Sequence, residues 1–341
     1  MTTVGELGEF EVLRRMRMVR PSRGGHETGI TLGPGDDAAL MQPSEGRELA
    51  ATTDTLVEDI HYRREWIHGE ALGARLAEAN LSDLAAMAAV PRWALVSVGV
   101  RREHDPEDLV ALQRGAIEAL GAHGARIVGG NLTATTGAEW FTMTLLGEVE
   151  VGAAWTRAGA RAGDLLAVTG RPGRAGAGAR LARASAGGAV DAQWAPLVAA
   201  WLAPRARVTF ARALAARQGV TAAIDISDGV AADLAHVCEA SDIGVRIEDA
   251  AWPDDALLAE AASALQLPLD ALRFGASDDY ELTLAIEPAK RLECEALAAS
   301  LEVPFRIVGE FTGTAGQMDR ISADGRVTPI AGDGYDHFRS G

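Results

Sequence analysis

Ala222-Ala-Ile-Asp-Ile-Ser-Asp-Gly-Val-Ala-Ala-Asp233 begins as an apolar run, then breaks into Asp225, Ser227 and Asp228, a glycine and a helix-like segment. The apolar part reads as a buried strand, so the segment reads as strand, polar turn and helix. Carboxylates at a strand end add nothing to a core, because burying an unpaired charge is costly. They make sense beside a cation or a polar ligand. The plainer alternative is a helix N-terminus capped by Ser227 or Asp228. The same design recurs at Gly35-Asp-Asp-Ala38, Thr52-Thr-Asp-Thr55, Asn80-Leu-Ser-Asp83, Gly129-Gly-Asn131 and Ser277-Asp-Asp-Tyr280. Each cluster lies next to Ser, Thr or Gly, and together they suggest one shared site for hard cations.

The surrounding pattern supplies the architecture. Helical spacing covers Glu6 to Met18, and a Gly/Pro-rich stretch runs from Pro21 to Asp37. Leu49 to Thr53 reads as a strand, and Glu70 to Ala89 as an Ala-rich helix stopped by Pro91. Trp93 to Val100 alternates as a strand, and Pro106 opens a helix reaching about His123. Arg126 to Val128 reads as a short strand ending at Gly129-Gly130, followed by another over Trp140 to Val149. Composition shifts to Gly/Ala/Arg between Gly152 and Gly163, which sets a domain boundary: 1–150, then 151–341. In the second half, Leu165 to Thr169, Val220 to Ile226, Leu282 to Ile286 and Phe305 to Val308 read as strands, with helices between them. The expected class is α/β, or α+β with mixed sheets, in two domains.

Composition excludes several functions. A formal net charge of -16 argues against a nucleic-acid partner held through phosphates. No apolar run is long enough for a bilayer span, and the acidic N-terminus lacks an apolar signal segment, so no membrane role and a cytoplasmic location are expected. Cys238 and Cys294 lack Cys-x-x-Cys or His partners and read as reduced core thiols. Lys290 is the only lysine, which excludes a Walker lysine at phosphates and a Schiff base elsewhere. Gly170-Arg-Pro-Gly-Arg-Ala-Gly-Ala-Gly178 faintly suggests a dinucleotide fingerprint, but no suitable acidic partner follows, so close helix packing is the better reading.

Carboxylate, amide, hydroxyl and phosphate oxygens are what Mg²⁺ prefers, and the clusters offer no thiolates for zinc. Acidic residues around one pocket would repel a triphosphate unless cations neutralised them. Metal-assisted phosphoryl transfer from ATP is therefore coherent with this chain. Each cluster alone has a bland reading: a turn at Gly35-Asp-Asp and at Asp278-Asp279, a strand end or cap at Thr52-Thr-Asp, a turn at Gly129-Gly-Asn. Mid-helix Asp83 is the exception, since aspartate is disfavoured there.

In order and spacing the motifs resemble those of the thiamine-monophosphate kinase family across nearly the whole chain. The landmarks are Gly35-Asp-Asp-Ala-Ala-Leu40, Thr53-Asp-Thr-Leu-Val57 with His61, Asn80-Leu-Ser-Asp-Leu-Ala-Ala-Met87, Gly129-Gly-Asn131, Trp155-Thr-Arg157, Ile224-Asp-Ile-Ser-Asp-Gly229, Asp278-Asp-Tyr-Glu-Leu282 and Gly334-Tyr-Asp-His-Phe338. The resemblance implies the two-domain fold of aminoimidazole ribonucleotide synthetase, with an N-terminal sheet that forms a barrel across a homodimer. It implies in-line transfer of the ATP γ-phosphoryl to thiamine monophosphate, with several Mg²⁺ ions. Carried over by motif, Asp37, Thr52, Thr53, Asp54, Asp83, Asn131, Asp225 and Asp228 would line the metals, with Asp83, Asp225 and Asp228 central to catalysis. Gly130, Asn131, Arg157 and Ser227 would contact ATP, and His61, Asp278 and Tyr335 would contact thiamine monophosphate. Three positions depart from the family pattern: Asn131 stands where Asp is common, Asp278 replaces a Glu, and Arg75 replaces a frequent Lys. The alternatives are another ATP-using enzyme of the same superfold with a different acceptor, and a non-catalytic Mg-nucleotide-binding protein.

Overall fold

The computed structural model describes residues 2–19, 29–34, 36–185, 189–330, 334–335 and 338. Gly35, Asp336 and His337, parts of two landmarks above, lie outside the described residues. The chain divides into one unit of residues 1–84 with 89–154 and a second of residues 155–341 with 85–88.

The first unit contains α1 (Val4–Leu7), α2 (Glu9–Arg17), β1 (Ile30–Leu32), β2 (Leu40–Met41), β3 (Arg47–Val57), α3 (Gly69–Ala86), β4 (Val90–Val100), α4 (Pro106–Gly121), β5 (Arg126–Ala134) and β6 (Trp140–Glu150). Its main sheet has the order β3-β6-β4-β5, with β4 and β5 parallel and the other pairs antiparallel. Strand alternation gives the sheet two unlike faces. Leu56, Phe141, Met143, Leu145 and Val98 fill the buried face, each at most 3% exposed. The other face carries Thr53, Thr55, Leu95, Ser97, Asn131, Thr142 and Thr144, matched across the strands by register.

Three local expectations change here. The single helix over Glu6 to Met18 is split at Gly8, whose φ of 77° is easy for glycine and ends α1 where α2 starts. Pro91 does not stop a helix but lies inside β4. It is tolerated because β4 pairs there with β6 alone, and pairing with β5 begins at Trp93. Gly129-Gly130 does not end a strand either. β5 runs on to Ala134, with Val128 skipped in the ladder opposite Ala94 and Leu95. A Cβ on Gly130 would stand 1.8 Å from the Val96 carbonyl oxygen, so the glycine answers to a close strand approach.

The second unit contains β7 (Leu165–Thr169), α5 (Arg174–Ala184), α6 (Ala195–Leu202), α7 (Val208–Ala215), β8 (Val220–Asp225), α8 (Val230–Ser241), β9 (Gly244–Glu248), α9 (Ala256–Ala264), α10 (Leu269–Arg273), β10 (Leu282–Ile286), α11 (Arg291–Ser300), β11 (Phe305–Thr312), β12 (Met318–Ile321) and β13 (Val327–Pro329). The seven-stranded sheet has the order β13-β12-β9-β11-β7-β10-β8 and is antiparallel except between β9 and β12. Leu166, Val168, Ile224, Val245 and Phe311 pack with Val230, Leu234 and Val237 of α8 into one core. A second cluster joins α5, α6, α9 and α10 through Ala177, Leu197, Leu258 and Leu272. Gly178 permits that packing, since a Cβ there would meet the Leu197 oxygen at 2.1 Å. Both units are mixed α/β with mixed sheets. Among the described residues no helix is long and apolar enough to cross a membrane.

Candidate active site

In the first unit, strand alternation puts Thr52 and Asp54 on the same face of β3 and Thr53 on the other. The Thr52 hydroxyl donates to Asp83 Oδ2, which lies in the last turn of α3 rather than mid-helix as expected from the sequence. Asp54 lies close enough to Asp83 for the two carboxyls to share a hydrogen bond. Burial, reinforced by the Asp83 charge, pushes the Asp54 carboxyl up to about 7. A dication between these acids would relieve that strain, and two carboxylates with a hydroxyl form the hard oxygen set that Mg²⁺ takes. Among the described residues no three His, Cys, Asp or Glu side chains gather into a metal-holding group. A cation here would therefore complete its shell with hydroxyl, water or phosphate oxygens.

Thr53 faces the opposite way, its hydroxyl 3.1 Å from the Met143 carbonyl and from Thr144 Oγ1. That open face is covered by a cavity of about 1620 Å³, whose lining includes Asp37, Ser97, Gly130, Asn131 and Thr142. Asp37 and Asn131 thus share one cavity, whereas Thr52, Asp54 and Asp83 sit on the covered face. The structure brings the expected metal residues of this unit together as two groups rather than one.

His61 follows β3 in a tight turn. Its Nδ1 accepts from the Val57 N–H at 3.0 Å, which leaves the ring proton on Nε2 as a donor. The turn is held on both sides. Arg101 grips Glu58 through two hydrogen bonds of 2.5 and 2.9 Å, and Tyr62 is buried with its ring 5.9 Å from Phe141. Beneath it His104 joins Glu139 at 2.9 Å and Asp108 at 3.3 Å. Burial lowers the proton affinity of His104, but hydrogen bonds to Asp108 and Glu139 outweigh it and raise the pKa above the ordinary value.

In the second unit Asp225, Ser227, Asp228, Asp278 and Tyr335 gather at the end of β8, whereas Arg157 lies beside the middle of the strand, by the last residue of α8. Asp225 lies opposite Leu282 and is 4% exposed. Ile226 N–H donates to the Glu281 carbonyl, and Tyr280 N–H to the Ile226 carbonyl, each at 2.8 Å. The segment bearing Asp278 is therefore laid along the turn that carries Ser227 and Asp228. Tyr335 N–H donates to the Asp228 carbonyl at 3.1 Å. Arg157 is exposed, its carbonyl held by Ser241 Oγ at 3.1 Å, while the Thr156 carbonyl accepts from Ala223 N–H beside β8.

Neither Ser227 nor Asp228 caps α8. The N-cap position is Gly229, and the capping group is Asp233, inside the first turn. One Asp233 oxygen accepts from the backbone N–H groups of Ser227, Asp228 and Gly229 at 3.1, 3.2 and 3.1 Å. The sequence carried a signal for this, an acid in the first helical turn, but the polar turn before it offered more obvious caps. Asp279 was also obscured by its neighbour. It accepts from Gly173 N–H and Ala175 N–H at 2.6 and 2.9 Å, and Ser277 Oγ accepts from Gly176 N–H at 2.8 Å. The glycine-rich opening of α5 is thus filled by the chain's own side chains, which explains the motif without a dinucleotide.

Residues 35–149 match the family model for AIR synthase related protein, N-terminal domain, and residues 161–319 that for AIR synthase related protein, C-terminal domain. Over 336 residues the chain is 34% identical to thiamine-monophosphate kinase of Escherichia coli (strain K12), covering 97% of this chain and 98% of the relative. It is likewise 34% identical over 319 residues to thiamine-monophosphate kinase of Mycobacterium tuberculosis (strain ATCC 25618 / H37Rv), covering 92% of each. Among solved structures, thiamine-monophosphate kinase from Stenotrophomonas maltophilia K279a matches with a TM-score of 0.76 and 29% identity, covering 94% of this chain and 96% of that one. The chain belongs to the thiamine-monophosphate kinase family of AIR synthase related proteins.

Proposed function

We propose that this chain is an ATP-dependent kinase that phosphorylates thiamine monophosphate to thiamine diphosphate. The observation that carries the reading is the Thr52, Asp54 and Asp83 cluster, an acidic oxygen site in a chain whose full-length relatives bear that kinase's name. Mg²⁺ bound to such groups neutralises phosphate charge and polarises the transferred phosphoryl. Asp54 and Asp83 would hold the ion as carboxylates, with Thr52 as a neutral oxygen. Asp225 and Asp228 would be ligands in the second unit, and Asp37, Thr53 and Asn131 would be ligands in the first. Gly130, Asn131, Arg157 and Ser227 bind ATP, Arg157 as an exposed cation for phosphate.

On the acceptor side, His61 donates through Nε2 to a phosphate oxygen, Tyr335 offers a ring face to the cationic thiazolium, and Asp278 provides a negative partner. An oxygen of the acceptor phosphate attacks the γ-phosphorus as the bond to the β,γ-bridging oxygen breaks, and ADP departs. No residue forms a covalent intermediate, because the acceptor is already ionised at neutral pH. The open sheet face, with Leu49 51% and Leu95 40% exposed, suits a second copy whose sheet closes a barrel across a homodimer. ATP supply places the work in the cytoplasm.

The test is chromatographic detection of thiamine diphosphate from purified protein, ATP, Mg²⁺ and thiamine monophosphate. Product is expected with wild type and none above background with Asp83→Asn, a near-isosteric change that removes a charge. Absence of product from the wild type refutes the reaction. Undiminished turnover in Asp83→Asn refutes the metal assignment.

A further inference from the structure

Segment 274–281 is held on two sides. Toward α5, Asp279 accepts from Gly173 and Ala175 N–H, Ser277 Oγ accepts from Gly176 N–H and donates to Asp279 at 2.7 Å, and Arg180 donates to the carbonyls of Gly176 and Ala276 at 2.9 and 3.0 Å. Toward the turn after β8 and the start of α8, Tyr280 N–H donates to Ile226 O, and Ala231 N–H to Phe274 O at 3.0 Å. Two glycines allow the approach. A Cβ on Gly176 would lie 2.6 Å from the Ala276 oxygen, and one on Gly229 would lie 2.2 Å from the Gly275 oxygen. Tyr280 takes the left-handed backbone, at φ 52°, where the segment bends toward β10. Asp278 is the residue between these two sets of anchors. It is half-buried, while Ser277 and Asp279 on either side are 6% and 8% exposed.

An N-terminus of this kind favours an anion, through its N–H groups and its dipole. Here the anion is internal, so the helix start serves as an anchor for a loop. The anchor matters because of reach. An aspartate side chain has one methylene and two torsions, so Asp278 has little freedom to make up for a displaced backbone.

We infer that Asp279, assisted by Ser277, is a positioning residue for the acceptor side of the site, locking its carboxyl into the start of α5 and so fixing the backbone of Asp278 against the Asp225–Gly229 turn. The inference rests on the reading of Asp278 as an acceptor contact. Steady-state kinetics with both substrates tests it, on wild type, Asp279→Asn, Ser277→Ala, Asp278→Ala and the Asp278→Ala/Asp279→Asn pair. Asp279→Asn is expected to raise the KM for thiamine monophosphate about tenfold while the KM for ATP stays within about twofold. Ser277→Ala, which keeps the carboxyl, gives a smaller rise of the same kind. In the Asp278→Ala background, Asp279→Asn adds no further rise.

An Asp279→Asn enzyme with a lowered melting temperature and an unchanged acceptor KM overturns the inference, as does an equal rise in both KM values. If Asp278→Ala raises the acceptor KM and Asp279→Asn does not, the positioning role alone fails. If Asp278→Ala leaves that KM unchanged, the acceptor reading falls and takes this inference with it. Should Asp279→Asn fail to fold, Ser277→Ala decides by the same criterion.

Discussion

Asp233→Ala gives the sharpest check on how the turn after β8 is held. Asp233 is 2% exposed and receives three backbone N–H groups on one oxygen, from Ser227, Asp228 and Gly229. Burial, helped by the nearby Asp228 charge, pushes its carboxyl up to about 7. Near neutral pH the carboxyl is then shared between protonated and ionised forms, so the ordinary value for a neutral hydrogen bond, about 1 kcal/mol, applies to each donor. Losing the three bonds costs about 3 kcal/mol, above the roughly 2 kcal/mol upper range for a single helix cap. For a domain of this size that lowers the melting temperature by roughly 6–12 °C. Asp233→Asn keeps one carbonyl oxygen as acceptor and is expected to lose only about 1 kcal/mol. Ser227→Ala, in which the backbone donor remains, stays within about 0.5 kcal/mol of wild type. Thermal unfolding followed by circular dichroism, without nucleotide or divalent cation, reads all three. If Ser227→Ala destabilises as much as Asp233→Ala, the cap is the serine of the turn and Asp233 loses that role.

Two further outcomes follow from the first unit. Gly130→Ala places a methyl 1.8 Å from the Val96 carbonyl oxygen, so β4 and β5 must separate. A loss of roughly 3 kcal/mol is expected in urea unfolding, and a stable Ala variant would show that the two strands are not so close. His104 gains proton affinity from Asp108 and Glu139 against the opposing effect of burial, so its folded pKa lies above the ordinary 6.5. The sign is then fixed: its contribution is complete below 6.5 and fades as pH rises through the higher folded value. Melting temperature between about pH 6 and about pH 9 should therefore fall more steeply for wild type than for His104→Gln, and parallel curves would deny the buried ion pair its protonated histidine.

Much of the architecture could be read from the chain because periodicity reports burial directly. Val220 to Ile226 and Trp140 to Val149 look like strands since their apolar residues face a core, and they are strands. The failures have local physical causes. Pro91 and the Gly129-Gly130 pair are punctuation in an isolated peptide, yet both lie within strands. One sits at a stretch of β4 with a single neighbour, the other where a bulge draws two backbones together. The short β9, β12 and β13 had little periodicity to show. Their place at one side of the seven-stranded sheet comes from tertiary pairing, including the parallel contact of β9 with β12.

The candidate site was readable as a set of residue types, and less so as a set of directions. An aspartate next to a glycine can turn its carboxyl toward a ligand or toward the backbone amides of its own turn, and composition does not distinguish the two. In this chain both occur within a few residues of each other. Asp225 and Asp228 stand in a turn whose amides are satisfied by Asp233, and Asp278 stands beside Asp279, which satisfies the start of α5. The division has an electrostatic consequence. The carboxylates of Asp233 and Asp279 are engaged by two or three N–H bonds of the chain itself, whereas burial and then the neighbouring Asp83 charge raise the pKa of Asp54. Repulsion between neighbouring acids is not by itself the mark of a metal, because after burial the Asp228 charge likewise raises Asp233 and the Asp278 charge raises Asp279; in those two pairs backbone N–H groups oppose the shift. The Thr52, Asp54 and Asp83 cluster, whose neighbouring oxygens are a second carboxyl and a hydroxyl rather than backbone N–H groups, is therefore the place where a cation would relieve charge that the chain itself leaves unrelieved.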